Sequence, residues 1–191
     1  DIFVRLMRDP EFRDLAQDHL GQKLYKVLAK DDLSEEDQIK LLIPKGESKT
    51  LEFKETFSID VKKGTKEKYI EKSVLKTIGA FLNSEGGELL IGVNDAGDAV
   101  GVDDEISKLY KNGDKYLLNF KNHIKSKVGE GFYPLIDYKL IEVDGKKVLR
   151  VNCGMANTPC FLEDTEFYVR SGPSTDMLEG KKQHEYIQER F

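Results

Sequence analysis

The sequence predicts an α+β fold, a mixed sheet with two hairpins and packed helices. Segments with helical periodicity and segments with strand-like alternation are interspersed along the chain, without strict alternation. Two pairs of strand-like segments are joined by short turns at 94–98 and 144–145, which is typical of β-hairpins. The 191 residues, 39% of them hydrophobic, are enough to bury one sizeable core.

The first 44 residues are predicted to form a helical segment or linker ahead of a domain at 45–191. Ser34 is followed by three acidic residues, which is typical of a helix N-cap and first turn, and Pro44 limits that helix. A helix-like pattern is already running at Asp1, so we expect the chain to be part of a larger protein. Apolar residues recur at helical spacing at Ile2, Leu6, Phe12, Leu15, Leu20, Leu24, Val27 and Leu28.

The predicted domain combines strands and helices in an irregular order. Helices are predicted at 69–82, at 104–128 with a break near Gly113, and at 178–191. Strands are predicted at 50–57, 88–93, 99–102, 135–143, 147–153, 158–162 and 166–169, with a loop at 171–175.

Composition restricts the classes of function. The net charge of −5 and the pI near 5.4 do not favour a polyanion partner for the whole chain, so such a partner would need a local basic patch. No apolar run approaches the roughly 18 residues of a membrane span, no signal peptide opens the chain, and Cys153 and Cys160 are too few for a disulfide framework. We therefore expect a cytoplasmic protein with no membrane contact. The two cysteines are interpreted as ordinary strand residues.

Three carboxylates are candidate ligands of a divalent metal. Glu47 precedes the first predicted strand, Glu52 lies within it, and Asp95 lies in the first hairpin turn. If they converge, their oxygens would suit Mg²⁺ or Mn²⁺, which could activate water and neutralise a phosphodiester. The alternative is three surface carboxylates among 35 acidic residues, and composition alone favours it.

Basic residues cluster in the connector after the first strand and on the helix that follows. Six lysines and two glutamates occur between residues 61 and 82, and such lysines could neutralise phosphates or simply form a solvated helix face. Lys54 and Arg170 could each hold a phosphate, or serve only an ion pair and a turn, respectively. The candidate nucleic-acid contacts are Lys54, Lys62, Lys63, Lys66, Arg170, Ser171, Ser174 and Thr175.

A diglycine at 86–87 follows the first predicted helix of the domain. Its open backbone could cradle phosphates or could only supply a structural turn, and the turn is the favoured interpretation. Neither G-x-x-x-x-G-K-[ST] nor G-x-G-x-x-G occurs, so nucleotide binding through those motifs is unsupported.

Several blocks resemble the Schlafen AlbA-like domain, also called the divergent AAA domain. They occur in the order and at the spacing of that family, over roughly residues 45–191. The blocks are ESKTLEFKE at 47–55, IGAFLNSEGG at 78–87, LIGVND at 90–95, VGV at 100–102 and EFYVRSGPST at 166–175.

The resemblance implies a nucleic-acid-binding module of a larger intracellular protein, acting in regulation or defence. In vertebrate Schlafens, paired lobes cleave tRNA and rRNA at a three-carboxylate, divalent-metal site, and those carboxylates correspond to Glu47, Glu52 and Asp95. This chain has one lobe, so a groove would need a homodimer or another part of the protein. The family's zinc site is not evident, and no zinc is expected.

Three functions are therefore predicted as alternatives. Nucleic-acid binding, to DNA or RNA, is the leading hypothesis. A divalent-metal-dependent endoribonuclease acting on structured RNA such as tRNA is the first alternative, with Glu47, Glu52 and Asp95 as catalytic and metal-binding residues. A dimerisation or scaffold module is the second.

Overall fold

A computed structural model describes residues 33–191, and the chain divides between Leu42 and Ile43 into two units. The helical predictions for residues 1–32 lie outside the described residues. Within the described part of the first unit, helix α1 spans Glu35–Leu42. The Ser34 hydroxyl accepts a hydrogen bond from the backbone N of Asp37 at 3.1 Å, so the predicted N-cap is confirmed.

The second unit contains a four-stranded mixed sheet, two small hairpins and four α-helices. Its elements are a 3₁₀ turn Ile43–Lys45, β1 Leu51–Lys54, β2 Ile59–Asp60, β3 Thr65–Lys66, α2 Lys68–Asn83, β4 Gly87–Ile91, α3 Asp103–Glu105, α4 Gly113–His123, β5 Ile136–Val143, β6 Lys146–Cys153, β7 Phe167–Ser171, β8 Ser174–Leu178 and α5 Gly180–Arg190.

The main sheet has the order β1-β4-β6-β5. Strand β1 pairs parallel with β4, and the β4–β6 and β6–β5 pairs are antiparallel. Both the hairpin predicted around residues 144–145 and the α+β class with a mixed sheet are confirmed. Because β1 and β4 are parallel, α2 connects them as a crossover, which fixes the ends of α2 relative to the sheet.

Helix α2 and the sheet form the centre of the hydrophobic core. Val74, Ile78 and Phe81 recur at helical spacing and are fully buried, and Leu89 and Leu149 of the sheet belong to the same cluster. Fully burying each such side chain contributes about 1.5–3 kcal/mol. The periodicity that predicted this helix is therefore the periodicity of its buried face.

The segment predicted as a long helix with a break near Gly113 is interrupted in the structure. Helix α3 continues into a π-helical turn, Ile106–Tyr110, and the chain then breaks at Lys111, which has a φ of 68°. The Asn112 side chain caps α4 by accepting a hydrogen bond from the backbone N of Lys115 at 3.0 Å. A second π-helical turn, Ile124–Gly129, follows α4. The predicted break near Gly113 is confirmed.

Three local predictions are wrong. The return strand at 99–102 is only an isolated bridge between Val93 and Ala99, and the strand at 158–162 is only a bridge from Leu162 to Glu166. The loop at 171–175 is the tip of the β7–β8 hairpin, in which Ser171 pairs with Ser174. The two residues of the turn are Gly172 and Pro173, and the positive φ of Gly172 is typical of a tight hairpin. The sequence analysis interpreted this turn as a loop, and it therefore did not predict strand β8 on the far side.

The two cysteines are buried free thiols, but only one lies in a strand. Cys153 ends β6, whereas Cys160 lies in an irregular segment that the Asn83 side chain fixes by hydrogen bonds to both its N and O at 2.8 Å. Burial raises the pKa of the Cys160 thiol to about 12 and raises that of Cys153 as well. Both thiols therefore stay protonated and unreactive near neutral pH.

No helix in the described part of the chain is both long and apolar enough to cross a membrane.

Candidate nucleic-acid interface

The β2–β3 hairpin presents lysines on a turn that its own side chains make rigid. The Asp60 carboxylate accepts hydrogen bonds from the backbone N of Lys62 at 2.8 Å and of Lys63 at 3.1 Å, and from the Tyr69 hydroxyl. The Tyr69 hydrogen bond is the largest of the effects that hold the pKa of Asp60 below its usual value. An Asp that accepts hydrogen bonds from the amides two and three residues later is a typical turn-forming residue.

Four lysines, Lys62, Lys63, Lys66 and Lys68, form what we call the hairpin surface, and all four are exposed. Lys63 lies 3.4 Å from a Glu67 oxygen, and Lys66 lies 3.0 Å from a Glu71 oxygen. Lys62 and Lys68 make no ion pair with any residue of the described chain. The hairpin surface therefore keeps positive charge that is not neutralised internally.

Tyr69 lies beside this surface and is not among the candidate residues predicted from the sequence. It is 50% exposed, and the Lys63 ammonium lies 5.0 Å from its ring centroid. Tyr69 is the second residue of α2 and follows a lysine-rich turn, and this position could have indicated an exposed side chain. Its hydroxyl and its ring both help to order the hairpin.

Lys54 has partners within the protein. Its ammonium group contacts a Glu52 oxygen and the Phe53 carbonyl oxygen, the latter at 3.0 Å, and its side chain is only 25% exposed. Much of its charge is therefore balanced by Glu52. Its predicted contact with phosphate stays a prediction.

Arg170 is an internal residue, and its predicted contact with phosphate stays a prediction. Its side chain has no exposed area, and Nη1 lies 2.9 Å from Glu52 Oε2. Nη2 donates to the Ser48 carbonyl at 2.7 Å and Nη1 donates to the Thr175 hydroxyl at 2.8 Å. The guanidinium also lies over the Phe81 ring, 5.0 Å from its centroid. A phosphate could reach it only by displacing these groups.

The hydroxyls of the second hairpin differ in their availability. Ser171 and Ser174 are exposed at the β7–β8 tip, whereas Thr175 is half-buried and accepts the Arg170 hydrogen bond. Contacts of Ser171 and Ser174 with phosphate stay predictions. The role seen for Thr175 is to hold Arg170.

The three candidate metal ligands do not come together. Within residues 33–191 no three His, Cys, Asp or Glu side chains are placed to hold a metal ion. Glu47 is exposed and accepts a hydrogen bond from the Phe53 backbone N at 3.0 Å, and Asp95 is exposed in the turn after β4. Glu52 is 7% exposed, with one oxygen against Lys54 and the other against Arg170.

The donor set therefore does not fit a divalent metal in this structure. A metal ion at Glu52 would have to displace two cations that already neutralise it. The predicted convergence of Glu47, Glu52 and Asp95 is not observed, because Glu52 is turned into the internal ion pair.

The diglycine has a structural explanation. A Cβ added at Gly86, where φ is 77°, would lie 2.6 Å from the Cys153 carbonyl oxygen, and one added at Gly87 would lie 2.5 Å from the Phe81 ring. Both contacts are too close for any residue with a side chain. The turn interpretation is sufficient to explain both glycines.

Comparison with known proteins identifies the family. The crystal structure of the DIP2311 protein from Corynebacterium diphtheriae is similar with a TM-score of 0.51 and 17% identity, over 74% of this chain and 27% of that chain. At that identity the likeness shows a shared fold. No curated protein matches the chain. A family model described as Schlafen, AlbA_2 matches residues 47–179, which confirms the resemblance read from the sequence blocks, and the chain therefore belongs to the Schlafen AlbA_2 family.

Proposed function

We propose that this domain binds nucleic acid through the hairpin surface, with lysine ammonium groups contacting backbone phosphates. The observation that carries the proposal is the pair of exposed lysines without ion pairs, Lys62 and Lys68, on a turn ordered by Asp60 and Tyr69. Family membership supports a nucleic-acid-related role.

Lysines of this kind bind phosphate through charge rather than through base recognition. Each neutralised phosphate releases counterions, so binding weakens as salt increases and tolerates many sequences. The net charge of the chain is −5. Because the chain as a whole is acidic, a polyanion would approach a local basic patch, and the hairpin surface is such a patch.

The direct test is retention of a labelled tRNA and of a mixed-sequence DNA duplex at low salt. The variant Lys62→Ala/Lys63→Ala removes two charges from the hairpin, and we expect it to weaken binding of both ligands. Lys181→Ala/Lys182→Ala is the matched control, since it also removes two lysine charges, but from the first turn of α5. That helix contacts the opposite end of α2, where Tyr186 donates to the Asn83 carbonyl at 2.9 Å.

The hairpin precedes the first residue of α2, and α2 is 16 residues or about 24 Å long. Equal loss of binding in both double variants would mean that net charge alone matters, and it would contradict binding through the hairpin surface. If the unmodified chain retained neither ligand, the remaining alternative would be a dimerisation or scaffold role. Metal-dependent cleavage of the tRNA would instead establish the endoribonuclease alternative. Comparing tRNA with duplex DNA also tells which polymer is preferred.

We also propose that the domain acts within a larger cytoplasmic protein, alone or as a homodimer. Support for the first part is that the chain spans 27% of the length of DIP2311, so this fold occurs there within a longer chain. Size-exclusion chromatography with light scattering on the purified chain, with and without tRNA, tests the homodimer.

A further inference from the structure

A cavity lies beside the hairpin surface and shares Lys68 with it. It has a volume of about 330 Å³ and lies between α2, the π-helical turn Ile124–Gly129 and the turn after Leu162. This volume lies within the range of small-ligand pockets. Its lining consists of three lysines, two carboxylates, two leucines and a histidine: Lys68, Lys72, Lys127, Glu71, Glu163, Leu75, Leu162 and His123.

Two lysines from different elements meet around one carboxylate in this pocket. The Lys127 ammonium lies 2.6 Å from Glu163 Oε1 and the Lys72 ammonium lies 3.8 Å from Glu163 Oε2. Lys72 also lies 2.6 Å from a Glu166 oxygen. The Glu163 carboxylate lies between the Lys72 and Lys127 ammonium groups and reduces the repulsion between them. It therefore occupies the position that an anionic group of a ligand would take.

The backbone holds Glu163 in that position. Glu163 and Asp164 both have left-handed φ angles, 51° and 62°, which cost roughly 1–2 kcal/mol for residues other than glycine. The Glu163 backbone N donates to the Lys127 carbonyl at 2.7 Å, so the turn is tied to the π-helical segment. The side chain itself remains 39% exposed and can move aside without unfolding the turn.

The opposite wall of the pocket is already balanced in charge. Glu71 lies 3.0 Å from the Lys66 ammonium and 3.4 Å from His123 Nε2. The His123 Nδ1 donates to the Asn119 carbonyl at 2.9 Å, because a carbonyl oxygen can only accept. Since Lys66 neutralises Glu71, the wall does not oppose an anion, and Lys68 at the rim has no ion pair in the described chain.

We propose that this pocket binds a nucleoside monophosphate. The phosphate monoester would contact Lys68, Lys72 and Lys127 in place of the Glu163 carboxylate, and Leu75 and Leu162 would contact the apolar faces of the nucleoside. The ligand is either a free mononucleotide or the 5′-phosphorylated end of a nucleic acid lying on the hairpin surface. The second source rests on the proposed function, and Lys68, which belongs to both the hairpin surface and the pocket, joins the two sites.

Two substitutions of opposite expected effect test the pocket. With AMP as the probe in calorimetric titrations, we expect Lys68→Ala to weaken binding and Glu163→Gln to tighten it, each by about fivefold for one charge about 4 Å away in a water-like dielectric. Lys182→Ala on α5 is the matched control and should leave the affinity unchanged. Adenosine, which lacks the phosphate, should bind none of these proteins measurably.

A purely structural role of the ion pairs predicts a different pattern. In that case Glu163→Gln would lower the melting temperature and would not improve AMP binding. That result, or the absence of AMP binding by both the unmodified chain and Glu163→Gln at millimolar concentrations, would overturn the proposal.

A pair of oligonucleotides distinguishes the two sources of the ligand. Tighter binding of a 5′-phosphorylated strand than of its 5′-hydroxyl counterpart supports a chain end, and equal binding of the two together with binding of AMP supports a free mononucleotide. Lys62→Ala/Lys63→Ala should weaken both strands but leave AMP unaffected. Retained AMP binding without any oligonucleotide binding would reject the proposed function while supporting the pocket.

Discussion

The Arg170 guanidinium and the Glu52 carboxylate face each other at 2.9 Å between Nη1 and Oε2, with none of the arginine side chain and 10% of the glutamate side chain exposed. This ion pair joins β7 to β1. Arg170 also reaches back to the Ser48 carbonyl, so it fixes the entry to β1. A carboxylate that the sequence offers as a metal ligand is thus part of the internal framework of the domain.

Removing Glu52 should destabilise the fold strongly. Glu52→Ala leaves the Arg170 charge buried without its carboxylate, which typically costs about 3–5 kcal/mol in the free energy of unfolding. Glu47→Ala is the matched control, because Glu47 is exposed and loses one hydrogen bond to the Phe53 backbone, about 0.5–1.5 kcal/mol. Urea denaturation measures both. Equal effects of the two substitutions would contradict an internal role for Glu52.

Alanine at two glycines should change stability in opposite directions. Gly86→Ala places a Cβ 2.6 Å from the Cys153 carbonyl at a φ of 77°, so we expect a loss of more than about 1–2 kcal/mol. Gly79 lies inside α2 with no atom within 4 Å of an added Cβ, so Gly79→Ala should stabilise by about 1 kcal/mol through helix propensity. Thermal unfolding measures the signs, and a tolerated Gly86→Ala would rule out a structural need for the diglycine turn.

Two carboxylates of α3 should affect the pH dependence of stability in opposite ways. Burial raises the pKa of Asp103, but hydrogen bonds from the Lys147 side chain and backbone outweigh it, so the pKa lies below the ordinary 3.8. Because the folded state favours the ionised form, its contribution is present above pH 3.8 and is lost as the pH falls through the lowered value. Asp103→Asn should therefore reduce the loss of stability at acid pH.

Glu105 behaves in the opposite sense. Burial raises the pKa of Glu105 above 4.5, against hydrogen bonds from Ser58 and the Phe57 backbone. The folded state therefore favours the protonated form, and that contribution is present below pH 4.5 and is lost as the pH rises through the raised value. Glu105→Gln should flatten the free energy of unfolding in this window. Denaturant unfolding between acid and neutral pH checks both variants, and the same change of slope in both would contradict the assignment.

Chelation of divalent metal should leave binding and stability unchanged. Because Glu47, Glu52 and Asp95 form no donor cluster, EDTA should alter neither the melting temperature nor the retention of tRNA. We also expect no tRNA cleavage on adding Mn²⁺. Mn²⁺-dependent cleavage that is lost in Asp95→Ala, with the fold intact, would show that the carboxylates rearrange around an ion and would contradict this prediction.

The sequence was sufficient where a local pattern decides the structure. Helix α2 and the β5–β6 hairpin follow from apolar periodicity and a Asp144-Gly145 turn, since both depend on neighbours in sequence. Both interpretations of the hairpin lysines, phosphate contacts or a solvated face, require exposed side chains, and the lysines are exposed.

The role of Arg170 could not be predicted from local pattern. Its partner Glu52 is far away in the chain, and only the tertiary fold brings β7 against β1. The same holds for the cavity, whose Lys72, Lys127 and Glu163 come from three separate segments. From the sequence alone, an arginine near the end of a strand is expected to be exposed. The ion pair with Glu52 explains why Arg170 is buried instead.

The most direct test of the central claim is the salt dependence of DNA-duplex binding by the unmodified chain and by Lys62→Ala/Lys63→Ala. Each lysine that contacts a phosphate contributes about one to the slope of log affinity against log salt. We predict that the double variant reduces the slope by about two, and that Lys181→Ala/Lys182→Ala leaves it unchanged. A slope that is the same for all three proteins would contradict binding through the hairpin surface.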